Sequence, residues 1–243
     1  MLCRYDYFPT VVKLTFCEME KYSEYSKKIE KLARYVDSGE ATEEEEENLS
    51  QLLKQRHRII ERAENKFQAF LNKIETELKR YKDKTIVFCP EGQDENGEDI
   101  LEKYSAAVWK IAKENGVFLV KENYVQGTDK RILKDFARGD IDILFSKQRL
   151  NEGIDVPAAC RAFFVSSSTS EREFIQRRGR VLRKAKGKLK AQIFDFIGVP
   201  EKSVFVSDKD YERIISSEMK RAMDFAQTAD NFIEIKNTLA EFL

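Results

Sequence analysis

The sequence predicts an α/β fold: a parallel sheet flanked by helices, with a long N-terminal helical arm and C-terminal helices. Short apolar blocks near 85–89, 117–121, 141–145, 161–165 and 191–196 alternate with helical periodicity near 99–115, 128–138 and 170–184. That alternation is the signature of strands joined by helical crossovers. Residues 18–82 read instead as helix, and residues 201–243 carry two amphipathic stretches, marked by Tyr211, Ile214, Ile215, Met219, Ala222 and Met223 and then by Phe232, Ile235 and Leu239.

Taken in order, residues 1–17 are a linker and an edge strand. Tyr5-Asp-Tyr-Phe-Pro9 leads into Val11–Phe16, with Pro9 at the start of the strand. Glu18 to Val36 has helical composition and stops near Ser38-Gly39. Thr42-x-x-Glu45 forms a capping box, and the glutamate run behind it suits a helix N-terminus. From there an apolar stripe through Leu49, Leu52, Leu53, Ile60, Ala63, Phe67, Phe70, Leu71, Ile74 and Leu78 predicts one helix to about Tyr81. At ~1.5 Å per residue it would be roughly 55–60 Å long. Its stripe must be covered by the preceding helix, by the sheet domain or by a partner. Arg56, Arg58, Arg62 and Lys66 line its other faces, either as a solvated surface or as guides for DNA. Gln93–Gly97 is an acidic, glycine-containing loop expected to be mobile.

Composition sets bounds. Lys+Arg and Asp+Glu are both 43, so no global basic charge marks the chain as a polycation-type nucleic-acid binder. The charge is segregated: residues 171–190 hold nine basic and two acidic side chains, and residues 40–47 hold six glutamates. A local basic patch on a neutral chain fits a groove that tracks phosphates. Four cysteines at 3, 17, 89 and 160 show no CxxC pairing, and Cys89 and Cys160 lie in apolar surroundings as expected core thiols. His57 is the single histidine, so no zinc site is expected. Neither a signal peptide nor a long apolar run is present, which makes no membrane and a cytoplasmic location the expectation.

The most informative segment is Gln176-Arg-Arg-Gly-Arg-Val-Leu-Arg183. Ser170 and Glu173 have capping-box spacing, and on the helix that follows Gln176, Gly179, Arg180 and Arg183 share one face. Gly179 costs helix stability of about 1 kcal/mol relative to alanine but leaves a bare spot. Two forked cations and an amide around it suit an anion rich in oxygens, such as a phosphate chain. Upstream, the strand Ile143–Phe145 runs into Ser146-Lys147 and ends in Gly153-Ile-Asp155-Val-Pro157. Asp155 is there either as a turn residue or as a ligand for hydroxyls or cations.

Together these segments resemble the C-terminal RecA-like lobe of superfamily-2 helicases and translocases. Gln176-x-x-Gly179-Arg180-x-x-Arg183 is similar to the family's motif VI, Ser146 through Pro157 to motif V, and Lys84–Cys89 to the strand of motif IV. Tyr124-Val-Gln-Gly127, with Arg131 and Phe136 following, resembles the segment between motifs IV and V. Order and spacing agree over residues 84–197; Leu182 stands where the family often has a small residue. The resemblance implies that Arg183 is an arginine finger, Arg180 its neighbour, and Gln176, Gly153 and Asp155 residues near the nucleotide. It implies that Gly127, Ser146 and Lys147 contact nucleic-acid phosphates.

It further implies ATP with Mg²⁺ as cofactor and DNA as partner, with RNA less favoured. The sequence has neither a G-x-x-x-x-G-K-[ST] loop nor an Asp-Glu-x-His box. In the family both belong to an N-terminal RecA-like lobe, so this chain alone is expected to be inactive. The implied organisation is an interlobe linker and edge strand at 1–17, a helical arm at 18–82, a RecA-like lobe at 83–200, and C-terminal helices packed on it at 201–243. The alternative is a non-catalytic RecA-like module that binds nucleic acid or a partner.

Overall fold

The computed structural model describes residues 3–39, 41–78, 84–125, 128–129, 131–147, 158–166, 179–185, 187–201 and 207–243. Six strands form one sheet: β1 (Arg4–Lys13), β2 (Thr85–Cys89), β3 (Lys121–Tyr124), β4 (Ile143–Lys147), β5 (Arg161–Phe164) and β6 (Lys190–Val199). They lie in the order β1-β6-β5-β2-β4-β3, and every pair is parallel. All carboxyl ends therefore meet at one edge. Every residue of β2 and β5 is buried, as expected for central strands covered on both faces.

β1 begins earlier than the sequence suggested, and Pro9 sits in its middle, opposite Asp195. The strand tolerates it because β1 is an edge. Tyr7, two residues back and hence on the same side, gives its N–H not to β6 but to Asn231 Oδ1 at 3.0 Å. The donor that Pro9 lacks would have pointed the same way, off the sheet. Phe16 belongs to the next helix, not to the strand.

The expected single arm helix is two helices. α1 (Phe16–Asp37) pairs with α2 (Glu43–Glu61), whereas α3 (Glu64–Leu78) turns away and packs on the sheet. The break coincides with a tertiary contact. Glu18 Oε2 accepts from Thr15 N at 2.7 Å in the capping box of α1, while its Oε1 accepts from Glu64 N at 2.8 Å and caps the start of α3. Asn65 Nδ2 donates to the Lys13 carbonyl at 2.8 Å. One carboxylate thus serves two helix starts, and the continuous stripe is split between α1 and the sheet.

α3 and α4 (Ile100–Glu114) cover one face through Phe70, Ile74, Leu101, Tyr104 and Val108. α5 (Arg131–Arg138), α6 (Asp208–Ala226) and α7 (Phe232–Thr238) cover the other through Phe136, Met219, Phe225 and Ile235. A third, smaller core joins Leu14, Met19, Tyr22, Ile60 and Ala63 to Ile214 of α6 and fixes the base of the arm. Glu30 of α1 pairs with Lys209 of α6 as well.

Two further expectations shift. The strand expected at 117–121 starts only at Lys121, because Val120 N is taken by the Asp142 carboxylate at 2.8 Å and Phe118 is 81% exposed. The 93–97 loop is held closed: Asp94 Oδ1 accepts from Asn96 N and Glu98 N at 2.9 and 3.0 Å, and Asp94 pairs with Lys103 at 2.7 Å. Among the thiols, Cys89 and Cys3 are buried while Cys160 is only half-buried. Burial pushes the Cys89 thiol far above its usual range.

Beneath the carboxyl half of β6 lies a buried charged cluster. Arg221 of α6 donates to both Asp195 oxygens at 2.8 and 2.7 Å and to Glu218 Oε2 at 2.7 Å. Tyr7 donates to Asp195 Oδ2 at 2.8 Å. Lys66 of α3 is fully buried beside Glu218 and Asp195; burial drags its ammonium down to about 8, and the carboxylates oppose that fall. Two carboxylates face two cations, so the cluster is neutral and ties α3 and α6 to the sheet.

Candidate nucleic-acid interface and arginine face

At the carboxyl edge β4 delivers two of the residues singled out in the sequence. Ser146 is paired in register with Phe88 and Tyr124, and Lys147 with Cys89. They differ in what they present. Ser146 is fully buried, and its hydroxyl donates to the Lys147 carbonyl at 3.3 Å. Lys147 reaches the surface, where Nζ pairs with Asp99 Oδ2 at 2.7 Å. Asp99 is also the N-cap of α4, accepting from Leu101 N at 3.0 Å and Glu102 N at 3.3 Å. Partial burial pushes the Asp99 carboxyl up, but Lys147 and these backbone donors outweigh it and hold the group below its usual range. Sequence reasoning missed Asp99; its position before a helical run is the cap signal that could have found it.

The neighbouring strand end is occupied by the arm. Ser166 N donates to the Phe88 carbonyl at 3.2 Å, and Ser166 Oγ donates to Glu61 Oε1 at 2.7 Å. Glu61 closes α2 and is itself buried. The arm is therefore anchored at the edge that β4 shares.

The arginine segment lies elsewhere. Residues 179–181 are helical, and Val181 and Leu182 are in the core. Arg180 is half-buried and Arg183 exposed, which gives the expected division between a core side and a cationic side. A Cβ placed on Gly179 would meet nothing within 4 Å, so the bare spot is open. An open spot on a segment carrying two arginines suits phosphate oxygens. The Leu182 carbonyl accepts from Cys3 N at 2.7 Å, which puts the end of this segment beside the amino end of β1. Arg183 and Lys147 are thus at opposite edges of the sheet, and Lys188 Nζ donates to the Val181 carbonyl. Gln176, Gly153, Asp155 and Gly127 lie outside the described residues.

Among the described residues no group of three or more His, Cys, Asp or Glu side chains is placed to hold a metal ion. No described helix is long and apolar enough to cross a membrane.

A parallel sheet in this order, helices on both faces and a Gly-Arg-x-x-Arg turn define a RecA-like lobe. Residues 65–185 match the helicase conserved C-terminal domain family, so the chain carries a helicase C-terminal domain. A DNA 3′-5′ translocase, XPB2 of Sulfurisphaera tokodaii, is 31% identical over 121 residues, covering 48% of this chain and 24% of that protein. The chain spans about a quarter of the length of this relative. The crystal structure of the C-terminal part of the Fun30 ATPase domain has the same fold, with a TM-score of 0.50 at 11% identity over 90% of each chain. The Pyrococcus furiosus Hef helicase domain aligns with a TM-score of 0.38 at 23% identity over 70% of this chain and 34% of its own.

Proposed function

We propose that this chain is the second motor lobe of an ATP-dependent DNA helicase or translocase. The observation that carries the reading is the family match, which begins in α3 and ends just past Arg183. In this reading residues 1–17 are the interlobe linker and edge strand, 18–82 the helical arm, 83–200 the lobe and 201–243 helices packed on it. Within the arm's bounds α3 packs on the sheet, and the family match starts in it. DNA is preferred over RNA because the curated relative is by name a DNA translocase.

The chemistry assigned to this chain is electrostatic. Arg183 and Arg180 offer planar forks to the charge that develops on a transferred phosphoryl group, a contribution worth on the order of 10³–10⁵ in rate. The groups that hold Mg²⁺ and cradle the phosphates belong to an N-terminal RecA-like lobe, and Gln176, Gly153 and Asp155 complete the nucleotide side from this one. Lys147, with Gly127, takes the strand's phosphates; the buried Ser146 hydroxyl positions the Lys147 backbone beside it. The reading is tested by ATP hydrolysis with the purified 243-residue chain. No turnover above buffer is expected, and turnover that Arg183→Ala leaves intact would overturn the half-site assignment.

A further inference from the structure

The last turn of α2 carries two arginines and brings the Arg62 guanidinium to the carboxyl edge. Arg58 and Arg62 are one helical turn apart and share a face. Arg62 is the C-cap of α2 and follows Glu61, whose carboxylate holds Ser166 at the end of β5. Its Nη2, Cζ and Nη1 lie 2.5, 3.1 and 3.3 Å from the point a Cβ on Gly92 would occupy. Gly92, just beyond β2, has a φ of +97° and gives its carbonyl to Ile100 N at 3.0 Å. Glycine is needed there for the backbone conformation, and the Arg62 guanidinium lies on it.

The Arg62 Nε is buried and has no hydrogen-bond partner among the described residues. Of the charged groups around Arg62, Glu61 accepts from Ser166, Glu91 has the opposite charge, and Arg58 has the same charge. Burial draws the Arg62 guanidinium below its usual range; Glu61 opposes this, Arg58 adds to it, and Glu91 opposes it more weakly. A desolvated donor next to a second cation calls for an anion that accepts several hydrogen bonds. β4, which ends in Lys147, is the immediate neighbour of β2. Arg62, beside Gly92 just past β2, and Lys147, at the end of β4, therefore lie at the carboxyl ends of neighbouring strands, with Lys147 paired to Asp99.

We infer that Arg58 and Arg62 form a binding site for a backbone phosphate of the nucleic-acid strand, contributed by the arm and continuous with Lys147. The inference rests on the nucleic-acid reading of this lobe and extends it to residues outside the family match, which starts at residue 65. It assigns the base of the arm to strand binding.

The experiment is fluorescence anisotropy of a labelled 20-nucleotide oligo(dT) with the 243-residue chain between 50 and 200 mM salt. Arg62→Gln should weaken binding three- to tenfold at the low end. It should also flatten the slope of log affinity against log salt by about 0.7, the value for one phosphate contact on a single strand. Arg58→Gln should act in the same direction and decides the matter if Arg62→Gln fails to fold by thermal melting. Arg62→Lys should keep the slope, and Lys27→Gln, an exposed charge on α1, should change nothing. Wild-type slopes in both glutamine variants would overturn the inference and leave the lobe reading standing. If Arg62→Gln weakened a fluorescent ATP analogue and not the oligonucleotide, the site would be a nucleotide site and the inference would fall. No binding by the unaltered chain at 50 mM salt would overturn both.

Discussion

Replacing Asp195 with asparagine tests the buried cluster that joins α3 and α6 to the sheet. Asp195 and Lys66 have no exposed surface, Glu218 is 3% and Arg221 9% exposed, and the four charges cancel. Asparagine keeps the shape and some hydrogen bonding to Arg221 and Tyr7 but leaves one uncompensated positive charge. Breaking a buried pair in this way costs about 3–5 kcal/mol. Against a total stability of about 5–15 kcal/mol for an ordinary domain, that is a large share. Lys66 supplies a second signature. Burial already holds it at about 8, and Asp195 is one of the carboxylates that keep it from falling further.

In the variant Lys66 gives up its proton at a lower pH, so between that pH and 8 the folded variant binds fewer protons than the folded parent. The unfolded chains titrate alike. The stability gap should therefore narrow as pH rises from 7 to 9, by up to about 1.4 kcal/mol for each pH unit of altered protonation. In the parent itself Lys66 binds fewer protons folded than unfolded between about 8 and 10.5, so its contribution to stability rises with pH across that window. Urea unfolding of both proteins at pH 7 and pH 9 measures the gap. A loss under about 1 kcal/mol at pH 7, or a gap that widens towards pH 9, would refute the reasoning.

Other outcomes follow from single contacts. A Cβ on Gly198 would lie 2.9 Å from Ile60 Cγ2, so Gly198→Ala should lower stability by about 1–3 kcal/mol, read as a lower urea midpoint at constant m-value. Asp99→Asn keeps a residue suited to the α4 cap but releases Lys147 from its ion pair. It should raise oligonucleotide affinity severalfold at low salt with little change in melting temperature, and anisotropy showing weaker binding would count against Lys147 as a phosphate contact.

The alternation of apolar blocks was enough to place the sheet and its crossover helices, because central strands buried on both faces read as unbroken apolar runs. The edges were less legible. β1 contains Pro9, whose tolerance depends on Asn231 reaching the free side of the strand from the far end of the chain. The split of the arm depends on Glu18 meeting Glu64, a contact across 46 residues that no local period encodes. Of the candidate site, Lys147, Arg180 and Arg183 were singled out in the sequence, and the structure places Lys147 at the end of β4, Arg180 half-buried and Arg183 exposed. That Ser146 is buried was not legible, because the alternation of a strand buried on both faces does not tell which side chain reaches solvent at its end. Arg62 looked like any helix-face cation until Gly92 and the end of β5 were seen beside it.

In the proposed function this lobe supplies the arginine that completes an ATPase site. The most direct test is steady-state ATP hydrolysis, with and without DNA, by the polypeptide that joins this lobe to its P-loop lobe, comparing the parent with Arg183→Ala. Turnover should fall at least about 10³-fold with ATP affinity changed little, since the finger acts on developing charge. Undiminished hydrolysis, or lost nucleotide binding together with a collapsed melting temperature, would contradict the proposal and make Arg183 a structural anchor.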